Sequence, residues 1–131
     1  MCGRYTLLGT TRDLVETFDL RPPAFELEPR ANIAPGQPLL VVRAEGRARV
    51  ADAALWGLVP GWVKDPSAYS RPINARAETV AEKPSFRGAF HRKRCLLPAS
   101  GFYEWRASGK AKQPFYIQPT GHPLMAFAGL L

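Results

Sequence analysis

The chain has 131 residues, of which 46% are hydrophobic and 22% are charged. This length suits one domain with a single buried core, and the apolar content excludes a disordered chain. Neither an apolar run of the roughly 18–20 residues that span a bilayer nor the apolar core of a signal peptide is present, and two cysteines make no disulfide framework. The sequence therefore predicts a single-domain cytoplasmic protein.

Basic residues outnumber acidic ones by 18 to 11, which gives a formal net charge of +7. Thirteen of the 18 are arginine, whose planar guanidinium suits bidentate contacts with phosphate and stacking on bases. The charge balance is therefore compatible with a nucleic-acid partner but does not by itself select one. A basic protein without such a partner would have the same composition.

The predicted elements are mostly short strands separated by loops, and the 13 prolines are dispersed among them. In chain order, the first half is predicted to contain a strand at 3–8, a helix at 12–20 capped by Thr10 or Thr11, an irregular segment at 21–37, and strands at 39–43 and 47–59.

The second half is predicted to contain a loop at 60–72, short helices at 74–81 and 85–90, strands at 95–98, 101–106 and 115–118, and a turn-rich segment at 107–114. The apolar segment 123–131 is interpreted as a strand with no polar tail after it. Since domains usually end in solvent, we expect the domain to lack its C-terminal part.

Cys2 becomes the N-terminal residue if Met1 is removed, and it then carries a thiol and an α-amine on adjacent carbons. The reference pKa of an α-amine, near 7.7–8.0, leaves about a tenth of it neutral at pH 7. A neutral amine adds to an aldehyde to form a Schiff base. The thiol then closes onto the imine carbon, which gives a five-membered thiazolidine. An inert small residue at a frayed end is the alternative interpretation.

Five segments of the chain have a distinctive sequence: MCGRY at 1–5, NIAP at 32–35, WGLVPGW at 56–62, INARAET at 73–79 and CLLPASGFYEW at 95–105. In order and spacing they resemble the SRAP family (SOS response-associated peptidase), whose members shield abasic sites in single-stranded DNA by a covalent cross-link. The resemblance covers residues 1–131 as one domain. It implies an α+β fold with a mixed, mostly antiparallel, barrel-like sheet and short peripheral helices.

The resemblance also implies roles for individual residues. Cys2 matches the nucleophile, Asn74 the residue that holds the N-terminal residue and the sugar hydroxyl, and Glu104 the general acid/base. Such a group is needed because an abasic sugar is mostly a closed hemiacetal that must open to its aldehyde. Phosphate contacts and base stacking or wedging are implied for Arg4, Arg76, Trp62, Trp105 and Pro38.

The residues alone leave other interpretations open. Asn74 would suit the N-cap of a short helix. Glu104 would suit a solvent-facing strand position, or a buried one with a raised pKa. We assign Trp56 to the core and Cys95 to a buried strand without chemistry. The basic run at 92–94 would suit a solvated face or a general phosphate track.

One family motif, His-x-Arg-Met-Pro, has no counterpart here, and neither His91 nor His122 matches its histidine. The two cysteines and two histidines lack metal-ligand spacing, and no Walker A or dinucleotide-binding glycine motif occurs. We therefore expect no metal and no cofactor.

The predicted function is covalent capture of abasic sites in single-stranded DNA by a nucleoid-associated monomer during the DNA damage response. This single-turnover reaction on Cys2 would accompany a peptidase- or lyase-type activity. The sequence leaves two alternatives: a thiol peptidase or self-processing protein that uses Cys2, and a non-covalent single-strand binder.

Overall fold

The computed structural model describes residues 2–109 and 111–131. Within these residues the chain forms two short helices and eight strands. In chain order they are β1 (Tyr5–Leu7), α1 (Thr11–Phe18), β2 (Arg30–Ile33), β3 (Pro38–Glu45), β4 (Ala48–Leu55), α2 (Arg87–Arg92), β5 (Arg94–Ala99), β6 (Gly101–Ser108), β7 (Ala111–Ile117) and β8 (Met125–Leu130).

The strands form two four-stranded sheets. The strand order is β2-β1-β6-β7 in the first sheet and β4-β3-β5-β8 in the second. The ladders between these strands are antiparallel, and an isolated parallel bridge joins Leu20 to Arg49. The predicted α+β fold with mostly antiparallel strands and short peripheral helices is confirmed, with its strands divided between two sheets.

One hydrophobic core takes residues from both sheets and from α1. Tyr5 of β1 is 1% exposed. Its ring packs edge-on against Trp56 and against Phe127 of β8, with centroids 5.6 and 5.9 Å apart. Edge-to-face packing of this kind adds to the gain from burying the rings. The N-terminal strand is thus anchored in the core three residues after Cys2.

A capping box begins α1. Thr10 is the N-cap: its hydroxyl accepts a hydrogen bond from the backbone N–H of Asp13 at 3.1 Å, and its own N–H donates to the Asp13 carboxylate at 2.8 Å. The helix ends where Asp19 takes a left-handed conformation, with φ 52°. The predicted helix is confirmed, and Thr10 rather than Thr11 caps it.

The β3–β4 hairpin turns at Gly46 and Arg47, because Glu45 pairs with Ala48. Gly46 has φ +62°, which suits glycine at the first position of a two-residue hairpin. The predicted pair of strands is confirmed, although β4 ends at Leu55 rather than at residue 59. Beyond Leu55 the backbone of Trp56 bonds instead to Gly36 and Gln37.

Two segments predicted to be irregular contain strand structure. β2 lies inside 21–37 and pairs with β1. The turn-rich prediction for 107–114 is also wrong, because β6 continues to Ser108 and β7 resumes at Ala111. β7 is an edge strand, which explains how it accommodates Pro114.

The helix predicted at 74–81 is wrong: this segment forms turns and irregular backbone. An isolated helix of that length is marginal in water, and here its first residue bonds to the N-terminal segment instead. α2 spans Arg87–Arg92, shifted from the predicted 85–90. The predicted last strand is confirmed as β8.

Candidate active site

Cys2 lies half-buried at the edge of the core. Its thiol donates a hydrogen bond to the carbonyl of Arg4 at 3.2 Å. The same carbonyl accepts the backbone N–H of Tyr103 on β6 at 3.0 Å. The residues before β1 are therefore held alongside β6, the strand that carries Glu104.

Asn74 reaches this segment from a distant part of the sequence. Its side-chain amide Nδ2 donates to the carbonyl of Cys2 at 2.9 Å, across 72 positions. Residues 71–76, which we call the 71–76 loop, have neither helix nor strand structure. The interpretation of Asn74 as a helix N-cap is therefore wrong.

Glu104 lies half-buried on β6. Side chains alternate between the faces of a strand, so Glu104 shares a face with Phe102, whose ring packs against Phe127 at 5.5 Å. Trp105 lies on the opposite face with Tyr103, at a ring distance of 6.5 Å. Glu104 therefore points to the core side of the sheet, as Tyr5 does.

The pKa of Glu104 is lowered, whereas one interpretation of the sequence expected a raised pKa. A hydrogen bond with the N-terminal amine, more than any other cause, lowers the pKa of the Glu104 carboxyl. The attraction of that amine's charge lowers this pKa further. The raised pKa considered for a buried Glu104 is therefore wrong, and the group is a carboxylate at neutral pH.

The Cys2 thiol has the opposite shift. Burial raises the pKa of Cys2 most strongly, and the negative charge of Glu104 raises it as well. The hydrogen bond with Arg4 and the N-terminal amine lower the pKa, but do not cancel the rise. The sulfur is therefore present as a protonated thiol at neutral pH, close to an ionised carboxylate.

The predicted DNA-binding residues are all exposed: Arg4, Arg76, Trp62, Trp105 and Pro38. Trp62 is 60% exposed, with its ring edge-on to Tyr69 at 5.9 Å. Arg4 donates a hydrogen bond to the carbonyl of its neighbour Gly3 at 2.7 Å. These positions are accessible, as contacts with phosphates and bases require.

Two residues that sequence reasoning did not place in the site support its surroundings. Arg30 donates to the carbonyl of Pro38 and, at 2.9 Å, to the side-chain oxygen of Gln37. Trp56, assigned to the core, packs on Tyr5 and also donates its indole N–H to the carbonyl of Ile73 at 2.9 Å. The sequence could not predict these contacts, because each joins residues that are not neighbours in the sequence.

Other parts of the molecule are less informative about function. An open cavity of about 410 Å³ is lined by residues that include Asp13, Ser100 and His122, and by none of the predicted site residues. In residues 2–109 and 111–131 we find no group of three or more His, Cys, Asp or Glu side chains that could hold a metal ion. The same part of the chain has no helix with the length and apolar character to cross a membrane.

Comparison with known proteins places this geometry in a family. Abasic site processing protein YoaM of Bacillus subtilis is 43% identical over 133 residues, which cover 99% of this chain and 59% of YoaM. Abasic site processing protein YedK of Escherichia coli is 34% identical, over 98% of this chain and 59% of YedK.

A solved structure of a Bacteroides thetaiotaomicron protein superposes with a TM-score of 0.85 at 25% identity, over 98% of this chain and 59% of that one. The chain thus spans about three fifths of each of these proteins. The model of the family described as SOS response associated peptidase (SRAP) matches residues 1–131. The chain therefore belongs to the SRAP family.

Proposed function

We propose that this protein processes abasic sites in single-stranded DNA, by forming a covalent bond between the ring-opened sugar and Cys2. The observation that supports it most is the hydrogen bond from Asn74 to the Cys2 carbonyl, beside the carboxylate of Glu104. The proposal includes the loss of Met1, a residue outside those that the structure describes. After that loss the N-terminal amine belongs to Cys2.

The proposed reaction has three steps. The hemiacetal of the abasic sugar opens to an aldehyde, with one proton leaving its hydroxyl and one reaching the ring oxygen. The Cys2 amine then adds to the aldehyde carbon, and water leaves as the imine forms. Finally the thiol adds across the C=N bond: the sulfur bonds to carbon, and the proton of the thiol goes to nitrogen. The net change is the loss of one water, with no oxidant or reductant.

Glu104 is the group we assign to proton transfer. A glutamate carboxyl is ionised at neutral pH even at its ordinary pKa, and so can accept the proton of the sugar hydroxyl as the ring opens and return it to the leaving oxygen. In the final step the thiol proton of Cys2 ends on the nitrogen, so the step needs no outside proton. Asn74 would fix the backbone of Cys2, so that the amine meets the aldehyde in one orientation.

The proposed DNA contacts follow from exposure and charge. Arg4 and Arg76 would bind phosphates, while Trp62 and Trp105 would stack on bases, each worth about 1–3 kcal/mol. Pro38 would wedge the strand. A formal net charge of +7 would strengthen binding to any single strand at low salt. Monomeric state and nucleoid-associated, cytoplasmic localisation stay predictions from the sequence.

The names of the relatives support the substrate class. YoaM and YedK are both named abasic site processing proteins. This chain spans about three fifths of the length of these relatives. That it has the activity their names describe is therefore part of the proposal. The family is described as a peptidase family, so peptide cleavage by Cys2 is the second outcome to test.

The test uses a single-stranded oligonucleotide with one abasic site and the same oligonucleotide without it. Wild-type protein is expected to give a shifted band on a denaturing gel with the abasic strand alone, and Cys2→Ala is expected to abolish it. Cys95→Ala is the matched control, because Cys95 is buried in β5 and 7% exposed; it should keep the band.

Two outcomes would replace the proposal. Salt-sensitive retention of both strands without any covalent band would favour a non-covalent binder. Peptide cleavage that depends on Cys2 and is indifferent to DNA would favour a peptidase.

A further inference from the structure

Trp56 contacts three separate segments around the candidate site. Its backbone N–H donates to the carbonyl of Gln37 at 3.1 Å, and its carbonyl accepts the N–H of Gly36 at 2.9 Å. Its ring packs edge-on against Tyr5, three positions after Cys2. Its indole N–H donates to the carbonyl of Ile73 at 2.9 Å. The last bond is made by the side chain, and so depends on the identity of the residue.

The carbonyl that Trp56 holds belongs to the residue directly before Asn74. The 71–76 loop has no ladder or helix to fix its position, so its hydrogen bonds with neighbouring segments decide where Asn74 lies. A second such bond runs from the backbone N–H of Leu58 to the carbonyl of Pro72, at 3.1 Å. Residues 56–58 therefore run beside residues 71–73 and support them.

Gly57 shows how closely the two segments approach. Its φ is +137°, and a Cβ at this position would lie 3.1 Å from the Cβ of Arg71. This backbone conformation is rare for residues with side chains. Residues 57 and 71 are thus closer than most side-chain contacts allow, which keeps the backbone after Trp56 beside the loop.

We infer that Trp56 is a positioning residue, whose indole N–H holds the 71–76 loop so that Asn74 can bind the Cys2 carbonyl. The inference rests on the proposed function for its effect on rate. Packing against Tyr5 alone does not require tryptophan at this position. A phenylalanine ring would fill the same place but would not hold the loop. A partly buried indole N–H usually needs a partner, and here that partner lies beside the candidate catalytic amide.

The test is Trp56→Phe, which keeps an aromatic ring in the core and removes the N–H. At saturating abasic oligonucleotide, we expect covalent capture to slow by about 10-fold to 100-fold, as misplacement of a reacting group by about an ångström does. Affinity for an intact single strand should fall less than the rate of capture, because Arg76 is in the loop whereas Arg4, Trp62 and Trp105 lie outside it. Hydrogen–deuterium exchange of residues 71–76 should become faster, which is a readout independent of the reaction.

Phe127→Leu is the matched control. Phe127 also packs edge-on against Tyr5, but its side chain has no N–H with which to hold the 71–76 loop. It should lower the unfolding temperature without changing the exchange of the loop or the rate. If Trp56→Phe fails to fold, an indole analogue at position 56 with sulfur in place of the N–H gives the same comparison at full ring size.

The double variant Trp56→Phe/Asn74→Ala separates positioning from a general loss of order. If Trp56 acts through Asn74, the double variant reacts no more slowly than Asn74→Ala. Independent, multiplied losses would overturn the inference, and so would unchanged loop exchange in Trp56→Phe. If wild-type protein forms no adduct, the proposed function fails, whereas loop exchange still decides the role of Trp56.

Discussion

At the scale of single residues, the negative charge of Glu104 affects the pKa of the Cys2 thiol. Burial, and then the carboxylate, raise the pKa of the thiol, while the nearby amine lowers the pKa of the carboxyl. The pair is therefore suited to hold a proton on sulfur and a negative charge on oxygen.

Glu104→Gln tests this coupling. Removing the negative charge should lower the pKa of the Cys2 thiol, because a neighbouring anion disfavours the thiolate. The pH profile of Cys2 alkylation by iodoacetamide should shift to lower pH, while covalent capture slows more than DNA binding weakens. Peptide mapping distinguishes label on Cys2 from label on Cys95.

Glu82→Gln is the control for that experiment, since Glu82 is exposed and lies in the turn at 79–83. It should leave the alkylation profile of Cys2 unchanged. Identical profiles for Glu104→Gln and wild type would mean that the carboxylate does not act on the thiol.

At the scale of elements, strands with clear apolar patterning were predictable and short pairing partners were not. The sequences of β3 and β4 each contain an apolar run, and Gly46 between them favours a tight turn. The strand pattern and the turn residue therefore predict the same hairpin. β2 has four residues in a proline-rich segment, and it becomes a strand by pairing with β1. No local sequence pattern could predict β2, because its extended conformation depends on hydrogen bonds with β1.

Gly101 tests the contact between β6 and β7. A Cβ at Gly101 would lie 2.5 Å from the ring of Tyr116 and 2.7 Å from the backbone oxygen of Ile117. Gly101→Ala must therefore push the two strands apart, and overpacking of this kind typically costs about 1–3 kcal/mol of unfolding free energy.

Gly61→Ala is the matched control for urea denaturation, because a Cβ there meets nothing within 4 Å. Its unfolding free energy should match that of wild type. Equal stability of the two alanine variants would contradict the close contact described for Gly101.

For the molecule as a whole, burial in the shared core determines how stability depends on alkaline pH. Burial raises the pKa of Tyr5 to about 12 and the pKa of Cys95 to about 11. In the unfolded chain both groups ionise earlier, near their reference values of about 10 and about 8.5. The folded state therefore binds more protons between these values, and the free energy of unfolding should fall as pH rises from about 9 to about 12.

Tyr5→Phe tests this dependence. The Tyr5 hydroxyl is buried without a hydrogen-bond partner in the described residues, so its removal should not lower stability at pH 7. The alkaline loss should become smaller, because one of the groups whose pKa is raised by burial is gone. Thermal unfolding at pH 7 and at pH 10.5 gives both comparisons; a large loss at pH 7 would mean that the hydroxyl has a stabilising contact.

The residues of the candidate site are predictions from the sequence, and the structure adds the contacts between them. The motifs that carry Cys2, Asn74 and Glu104 were recognisable, and the fold brings these residues together from positions up to 102 apart along the sequence. The contact that holds the loop before Asn74 could not be predicted, because a tryptophan at position 56 is most simply interpreted as a core residue. A side chain can fill the core with its ring and hold a loop with its N–H, and only the fold reveals the second contact.

The mass of the isolated protein–DNA adduct, measured without reduction, tests the central claim most directly. The expected value is the mass of the chain without Met1, plus that of the abasic oligonucleotide, minus one water. Cys2→Ser, which keeps the amine and removes the sulfur, should give an adduct that survives isolation only after borohydride reduction. An unreduced wild-type adduct that retains Met1, or one attached at another residue, would contradict the account.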